Sequence, residues 1–231
     1  MTPIPIVALD VPNQETALAL VDELGDACRF YKVGAELFTA SGPKVVREVR
    51  ARGADVFLDL KYHDIPNTVA GGVRRAAELG VRLLTVHASG GGPMLEAAVK
   101  AVGDQERCAV LAVTLLTSLD RETVAAVWGR DTSLDMSEEV MRLAELATEK
   151  GVAGVVCGGH EAACVKRRYG ASLAVLIPGI RMVGGAPHDQ ARSSTPADAV
   201  AAGADYVVVG RAVTAAADRA SAMRELMAQL T

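Results

Sequence analysis

Aromatic side chains make up only 3% of this 231-residue chain, and several other absences narrow what it can do. It has no long run of lysine or arginine, and its net charge is −4. Neither a nucleic-acid backbone nor an anionic membrane surface would find a basic face to bind. No apolar stretch approaches the ~20 residues that cross a bilayer. Met1 to Asp10 carries no basic segment before its short apolar run, so a cleaved export leader is not expected. The four cysteines, Cys28, Cys108, Cys157 and Cys164, show no paired, metal-like spacing. Cys108 and Cys157 lie in apolar runs and read as core thiols. A reducing cytoplasm is the expected setting.

Familiar catalytic signatures are missing as well. No serine sits in a Gly-x-Ser-x-Gly turn, and the Gly-x-x-x-x-Gly-Lys-Ser/Thr phosphate loop does not occur. The histidines, His63, His87, His160 and His188, are scattered and never spaced i, i+4, so no metal site is expected. Nothing in the sequence provides a cofactor-binding signature.

What is present is a rhythm. Half the residues are hydrophobic, dominated by Ala, Val, Leu and Gly, as in buried parallel strands covered by helices. Strand-like runs at 4–9, 30–33, 55–58, 83–86, 109–113, 152–157, 173–177 and 206–209 alternate with helical spacing. Asn13 is placed to cap the first helix, to Leu24, with Gly25 at its end. Later helices are predicted from Gly42-Pro43 to about Arg52, after Pro93, over 137–150 and 161–169, and over about 214–230. Eight strands alternating with helices predict a single-domain (β/α)₈ barrel over residues 1–231. A doubly wound open sheet gives the same alternation with fewer strands. The connection 178–195, with Gly179, Gly184 and Gly185, is the one long loop and reads as a lid.

The chain is organised around Asp59-Leu60-Lys61-Tyr62-His63-Asp64-Ile65-Pro66-Asn67-Thr68. An apolar strand leads into it and helical spacing leaves it, so two carboxylates and an ammonium gather where strand gives way to helix. Alternation along a strand puts Asp59 and Lys61 on one face. Plainer roles exist: Asp64 as a helix cap ahead of Pro66, and Asp59–Lys61 as a surface pair worth ~0–1 kcal/mol. The apolar run before the pair favours a half-buried cluster, which is costly unless it serves a purpose.

Barrel enzymes place their sites at the C-terminal ends of the strands. The predicted strand ends collect Asp10, Lys32, Asp59, Lys61, Thr117, Ser118, Arg181 and Arg211. Val207-Val208-Val209-Gly210-Arg211 has the form of an anion site, because Gly210 admits close backbone approach at a helix start.

The decapeptide resembles the signature of the orotidine 5′-phosphate decarboxylase family. The resemblance extends along the chain through Val7-Ala8-Leu9-Asp10, Lys32-Val33-Gly34, Leu116-Thr117-Ser118, Pro178-Gly179-Ile180-Arg181 and Val209-Gly210-Arg211. It implies a cofactor-free decarboxylase that converts orotidine 5′-monophosphate to UMP. It also implies a Lys-Asp-Lys-Asp array of Lys32, Asp59, Lys61 and Asp64 around the scissile carboxylate. Asp64 and Thr68 would come from the other subunit of a homodimer. Asp10 would hold the ribose, and Thr117 and Ser118 would lie by the pyrimidine edge. Arg181, Gln190, Gly210 and Arg211 would serve the substrate, mostly its phosphate. Two alternatives remain at this point. One is a Mg²⁺-dependent sibling, a 3-keto-gulonate-phosphate decarboxylase or hexulose-phosphate synthase, which His63 directly before Asp64 argues against. The other is a non-catalytic nucleotide-binding barrel, which the lysines at both 32 and 61 argue against.

Overall fold

The computed structural model describes residues 2–105, 107–182 and 194–231. Its centre is a closed barrel of eight parallel strands in sequence order: β1 Ile4–Ala8, β2 Phe30–Gly34, β3 Asp55–Tyr62, β4 Leu83–His87, β5 Ala109–Val113, β6 Gly154–Val156, β7 Ala174–Ile180 and β8 Tyr206–Val209. Closure is made by β1 on β8, in register from Ile4 opposite Tyr206 to Val7 opposite Val209. The predicted (β/α)₈ architecture is therefore the observed one.

The described helices are α1 Gln14–Leu24, α2 Ala35–Ser41, α3 Pro43–Ala51, α4 Pro66–Glu78, α5 Gly92–Val102, α6 Arg121–Trp128, α7 Met136–Glu149, α8 Gly159–Tyr169, α9 Pro196–Ala201, α10 Arg211–Thr214 and α11 Arg219–Gln229. Asn13 caps α1 as predicted: its side-chain oxygen accepts from Thr16 N at 2.9 Å, and Gly25 ends the helix at φ +47°. Two short helices, α2 and α9, are additions to the sequence reading. The short α10 precedes the predicted final helix and is a third addition, and α11 is that final helix, starting later than predicted.

Strand alternation sorts the apolar residues into two cores. Outward residues such as Val7, Val33, Val56, Leu58, Val86 and Val207 pack under the helices. Inward residues such as Ile6, Ala8, Phe30, Phe57, Leu111, Val156, Leu176 and Val208 fill the barrel. At the N-terminal end the filling is closed by Phe30 edge-on to Tyr206, with ring centroids 6.2 Å apart. The Arg82 guanidinium lies over the Phe30 ring and pairs with Asp55 at 2.7 Å. Any open space therefore lies toward the C-terminal ends of the strands.

Two strands run more than one residue past their predicted apolar runs, and both are irregular there. β3 continues through the charged run to Tyr62. Leu58 pairs with Leu84 and Tyr62 with Val86, so four residue steps on β3 match two on β4, and β3 is bulged there. β7 continues through Pro178 and Gly179 to Ile180, with a register shift against β8. Pro178 has no N–H to contribute to a ladder, and a bulge tolerates that. Residues 183–193 lie outside the described residues, so most of the predicted lid does too.

Gly154 in β6 shows how tightly the barrel is packed. A Cβ built there would sit 2.6 Å from the Ala174 carbonyl oxygen and 2.9 Å from a Leu111 methyl. Backbone of a neighbouring strand cannot swing aside as a side chain can. Gly154→Ala is therefore expected to cost roughly 1–3 kcal/mol, as overpacking does. A thermal melt checks this, and an unchanged midpoint would show that the β6–β7 spacing relaxes freely.

Candidate active site

The C-terminal mouth of the barrel opens into a cavity of about 1220 Å³. Its floor is the inner apolar layer, including Ala8, Phe57, Val113, Val156, Leu176 and Val208. Above that floor the inward positions become charged. Lys32 follows Phe30 by two residues on β2, and Asp59 follows Phe57 by two on β3. The alternation that fills the barrel with carbon thus delivers an ammonium and a carboxylate at its rim.

These groups form a chain of alternating charge. Lys32 Nζ donates to Asp10 Oδ1 at 2.7 Å and lies 3.9 Å from Asp59 Oδ2. Lys61 Nζ donates to the same Asp59 oxygen at 2.8 Å. Exposure grades from wall to mouth: the Lys32 and Asp59 side chains are 10% and 12% exposed, while Lys61 and Asp10 are 36% and 61% exposed. Gly34 makes room for the inner end, because a Cβ there would lie 3.0 Å from Lys32 Nζ and 3.3 Å from Asp10 Oδ1.

Asp59 and Lys61 meet as the strand argument predicts, but not by regular alternation. Lys61 has φ +49°, the only positive value at a non-glycine among the described residues. A left-handed backbone costs an L-residue roughly 1–2 kcal/mol. Strain of this kind gathers where the surroundings fix a functional geometry.

The cavity lining brings together Asp10, Lys32, Asp59, Lys61, Thr117, Ser118, Arg181, Gly210 and Arg211. Asp64 and Thr68 do not join them. Both are exposed, and neither lines the cavity. Asp64 is not the cap of α4 either. Its Oδ1 accepts from the next residue, Ile65 N, at 2.6 Å, and the helix has no side-chain cap. Gln190 lies outside the described residues. Among the described residues no group of three or more His, Cys, Asp or Glu could hold a metal ion.

Three features escaped the sequence reading. Glu36 lines the cavity from α2, a seven-residue helix between glycines, too short to show a period. Thr85 is buried behind the array and bonds to it. His63 and His87, 24 positions apart, meet with ring centroids 5.3 Å apart and planes tilted by 34°. Only the pairing of β3 with β4 makes them neighbours.

Burial holds the His87 imidazole below its ordinary value of 6.5, and the charges of His63 and Lys61 push the same way against Asp59. The folded protein thus resists a proton that the unfolded chain takes up near pH 6.5. The stability from a neutral His87 is complete above that pH and is lost as the pH falls toward the lower folded value. An NMR titration should place the His87 midpoint below 6.5. A midpoint at or above 6.5 would show that Asp59 outweighs burial.

With the geometry described, comparison with known proteins is direct. The Orotidine 5′-phosphate decarboxylase / HUMPS family model matches residues 3–226. A protein of Halorhodospira halophila named orotidine 5′-phosphate decarboxylase is 50% identical over 226 residues, covering 97% of this chain and 94% of that one. A protein of the same name from Nitrosococcus oceani is 45% identical, covering 98% of this chain and 97% of the other. The crystal structure of orotidine 5′-phosphate decarboxylase from Lactobacillus acidophilus superposes with a TM-score of 0.87 at 34% identity, covering 100% of each chain. A barrel with this rim, matched along nearly its whole length, belongs to the Orotidine 5′-phosphate decarboxylase / HUMPS family.

Proposed function

We propose that this chain decarboxylates orotidine 5′-monophosphate to UMP, the last step of pyrimidine nucleotide synthesis, without a cofactor. The observation that carries the reading is the Asp10–Lys32–Asp59–Lys61 chain set over an apolar cavity floor. Loss of carbon dioxide from carbon 6 of the pyrimidine leaves an electron pair in the ring plane, where the π system cannot delocalise it well. Stabilisation must come from fixed charge near that carbon. Lys61 is the half-exposed ammonium facing the cavity, and it stabilises the developing pair and then donates its proton to carbon 6. Asp59 stands beside the departing carboxylate and disfavours it in the ground state. Lys32 stands between Asp59 and Asp10 and links the two carboxylates, and Asp10 holds the ribose.

Thr117 and Ser118 serve the pyrimidine edge, and Arg181, Gln190, Gly210 and Arg211 serve the phosphate. Enzymes lower barriers by ~8–23 kcal/mol, and a localised carbanion requires the upper part of that range. One ammonium does not supply it. Binding energy from the remote phosphate contributes to the reacting geometry.

The donor set suits this chemistry better than a metal-held enediolate. Asp10 and Asp59 already accept ammonium groups, at 2.7 and 2.8 Å, whereas Mg²⁺ asks for free oxygen ligands in octahedral geometry. No helix among the described residues is long and apolar enough to cross a membrane. The cysteines are free thiols, and burial pushes Cys28 up and Cys108 to about 11. Such thiols are poor nucleophiles and fit a reducing cytoplasm.

The deciding assay follows UMP formation from orotidine 5′-monophosphate in excess EDTA, for the unaltered protein and for Lys61→Ala. The first is expected to be fully active. The second should lose far more than the ~10²–10⁴ ascribed to general acid–base catalysis alone. Activity that returns only with Mg²⁺ would place the chain among metal-dependent siblings. A tenfold loss in the variant would reduce Lys61 to an ion-pair partner.

The reading also assigns Asp64 and Thr68 to the site of a second copy in a homodimer. Neither lines its own cavity, and Ile65 between them is 67% exposed, as an interface residue is in a lone chain. Mixing inactive Lys61→Ala and Asp64→Ala dimers tests this. After confirmed subunit exchange roughly half the dimers are mixed, each with one intact site. Activity should recover to roughly a quarter of the unaltered level. A mixture that stays dead puts Asp64 to work within its own chain.

A further inference from the structure

Thr85 is almost fully buried, at 1% exposure, and does not line the cavity. Its hydroxyl nevertheless touches two members of the charge array. Thr85 Oγ1 donates to Asp59 Oδ1 at 2.9 Å and accepts from the Lys61 backbone N–H at 2.9 Å. The direction of both bonds is forced. A backbone N–H can only donate, and an ionised carboxylate can only accept, so the one hydroxyl proton must go to Asp59.

The position of Thr85 follows from the β3 bulge. Four steps of β3, from Leu58 to Tyr62, face two steps of β4, from Leu84 to Val86. Thr85 is the single β4 residue opposite the extra length. A bulge leaves ladder groups without partners, and the Lys61 N–H is one that the Thr85 side chain takes over. The same contact helps to hold Lys61 at φ +49°. It also occupies Asp59 Oδ1, so that Oδ2 is the oxygen left for Lys61 Nζ at 2.8 Å and Lys32 Nζ at 3.9 Å.

We infer that Thr85 is a positioning residue for the decarboxylation: its hydroxyl sets both the carboxylate of Asp59 and the strained backbone of Lys61, so that the ammonium stands at the reacting carbon. This rests on the reading of Lys61 as proton donor. Because Thr85 acts behind the array, its loss should lower turnover and leave ground-state binding of the nucleotide almost unchanged.

The test compares Thr85→Val, Thr85→Ser and Thr85→Ala with Lys61→Ala, reading kcat, KM and the affinity for UMP. Thr85→Val keeps the shape without the hydroxyl and should lose roughly 10–100-fold in kcat, the size of effect expected when a reacting group is misplaced by about 1 Å. Its KM and UMP affinity should stay within about threefold of the unaltered protein. Thr85→Ser restores the hydroxyl and should recover most of kcat. If Thr85→Val does not fold, the Ser and Ala variants carry the same comparison: Ser active and Ala slow supports the inference. Full kcat in Val or Ala beside a dead Lys61→Ala overturns it, as does an equal loss in Ser and Val, which would make the effect one of packing. If Lys61→Ala is itself active, the underlying reading of Lys61 fails, whatever Thr85 does.

Discussion

One carboxylate holds the upper end of this barrel together. Asp59 is nearly buried and accepts from Lys61 and Thr85 while lying within ion-pair reach of Lys32. Leaving such a group without partners would be strongly destabilising, so its neighbours are constrained in turn. Gly34 is bare where a Cβ would press on Lys32. Thr85 turns a side chain into a strand partner, and Lys61 adopts a backbone that lysine ordinarily avoids. Each looks like a local irregularity, and each follows from keeping one charged oxygen pair satisfied at the edge of an apolar core.

The barrel makes that edge abrupt. On β3 the inward residue two positions before Asp59 is Phe57, which is buried in the inner core. On β2 the step from Phe30 to Lys32 is the same. Charges placed directly on a carbon floor are poorly screened from below, and interactions between them strengthen as water is excluded from above. The apolar filling is therefore part of the site: it closes the N-terminal end and lets a few fixed charges act across short distances.

Period-two and helical patterns carried the eight strands, the closed barrel and most rim residues into view from sequence alone. What they missed depends on contacts across strands. Nothing in Leu83-Leu84-Thr85-Val86-His87 marks Thr85 as different from any strand threonine until β3 is laid beside it with two residues to spare. The meeting of His63 with His87 has the same origin. The charged run of β3 reads as regular strand, since alternation alone gives no hint of a bulge, and Pro178-Gly179 in β7 reads as the start of a loop, because proline and glycine belong to turns. Each proves to be bulged strand, where such residues are tolerated. Helix α2 escaped because seven residues between glycines show no period. The cap role considered for Asp64 was a reasonable reading of Pro66, yet the carboxylate turns back only to its neighbour's N–H.

The charge array also constrains how affinity and catalysis can be divided. Its four cavity-facing members sum to zero, so it offers an incoming anion little net attraction at the place where bond breaking occurs. A substrate carboxylate brought against Asp59 meets repulsion at close range. Binding energy must then come from elsewhere in the cavity, and the lining offers Arg181, Arg211 and the Gly210 backbone at a different part of the rim. In the proposed function a distant anionic group supplies the grip, and the array is left to respond to charge that develops during reaction. That separation lets an enzyme hold its substrate firmly and still reserve its strongest local interactions for the transition state.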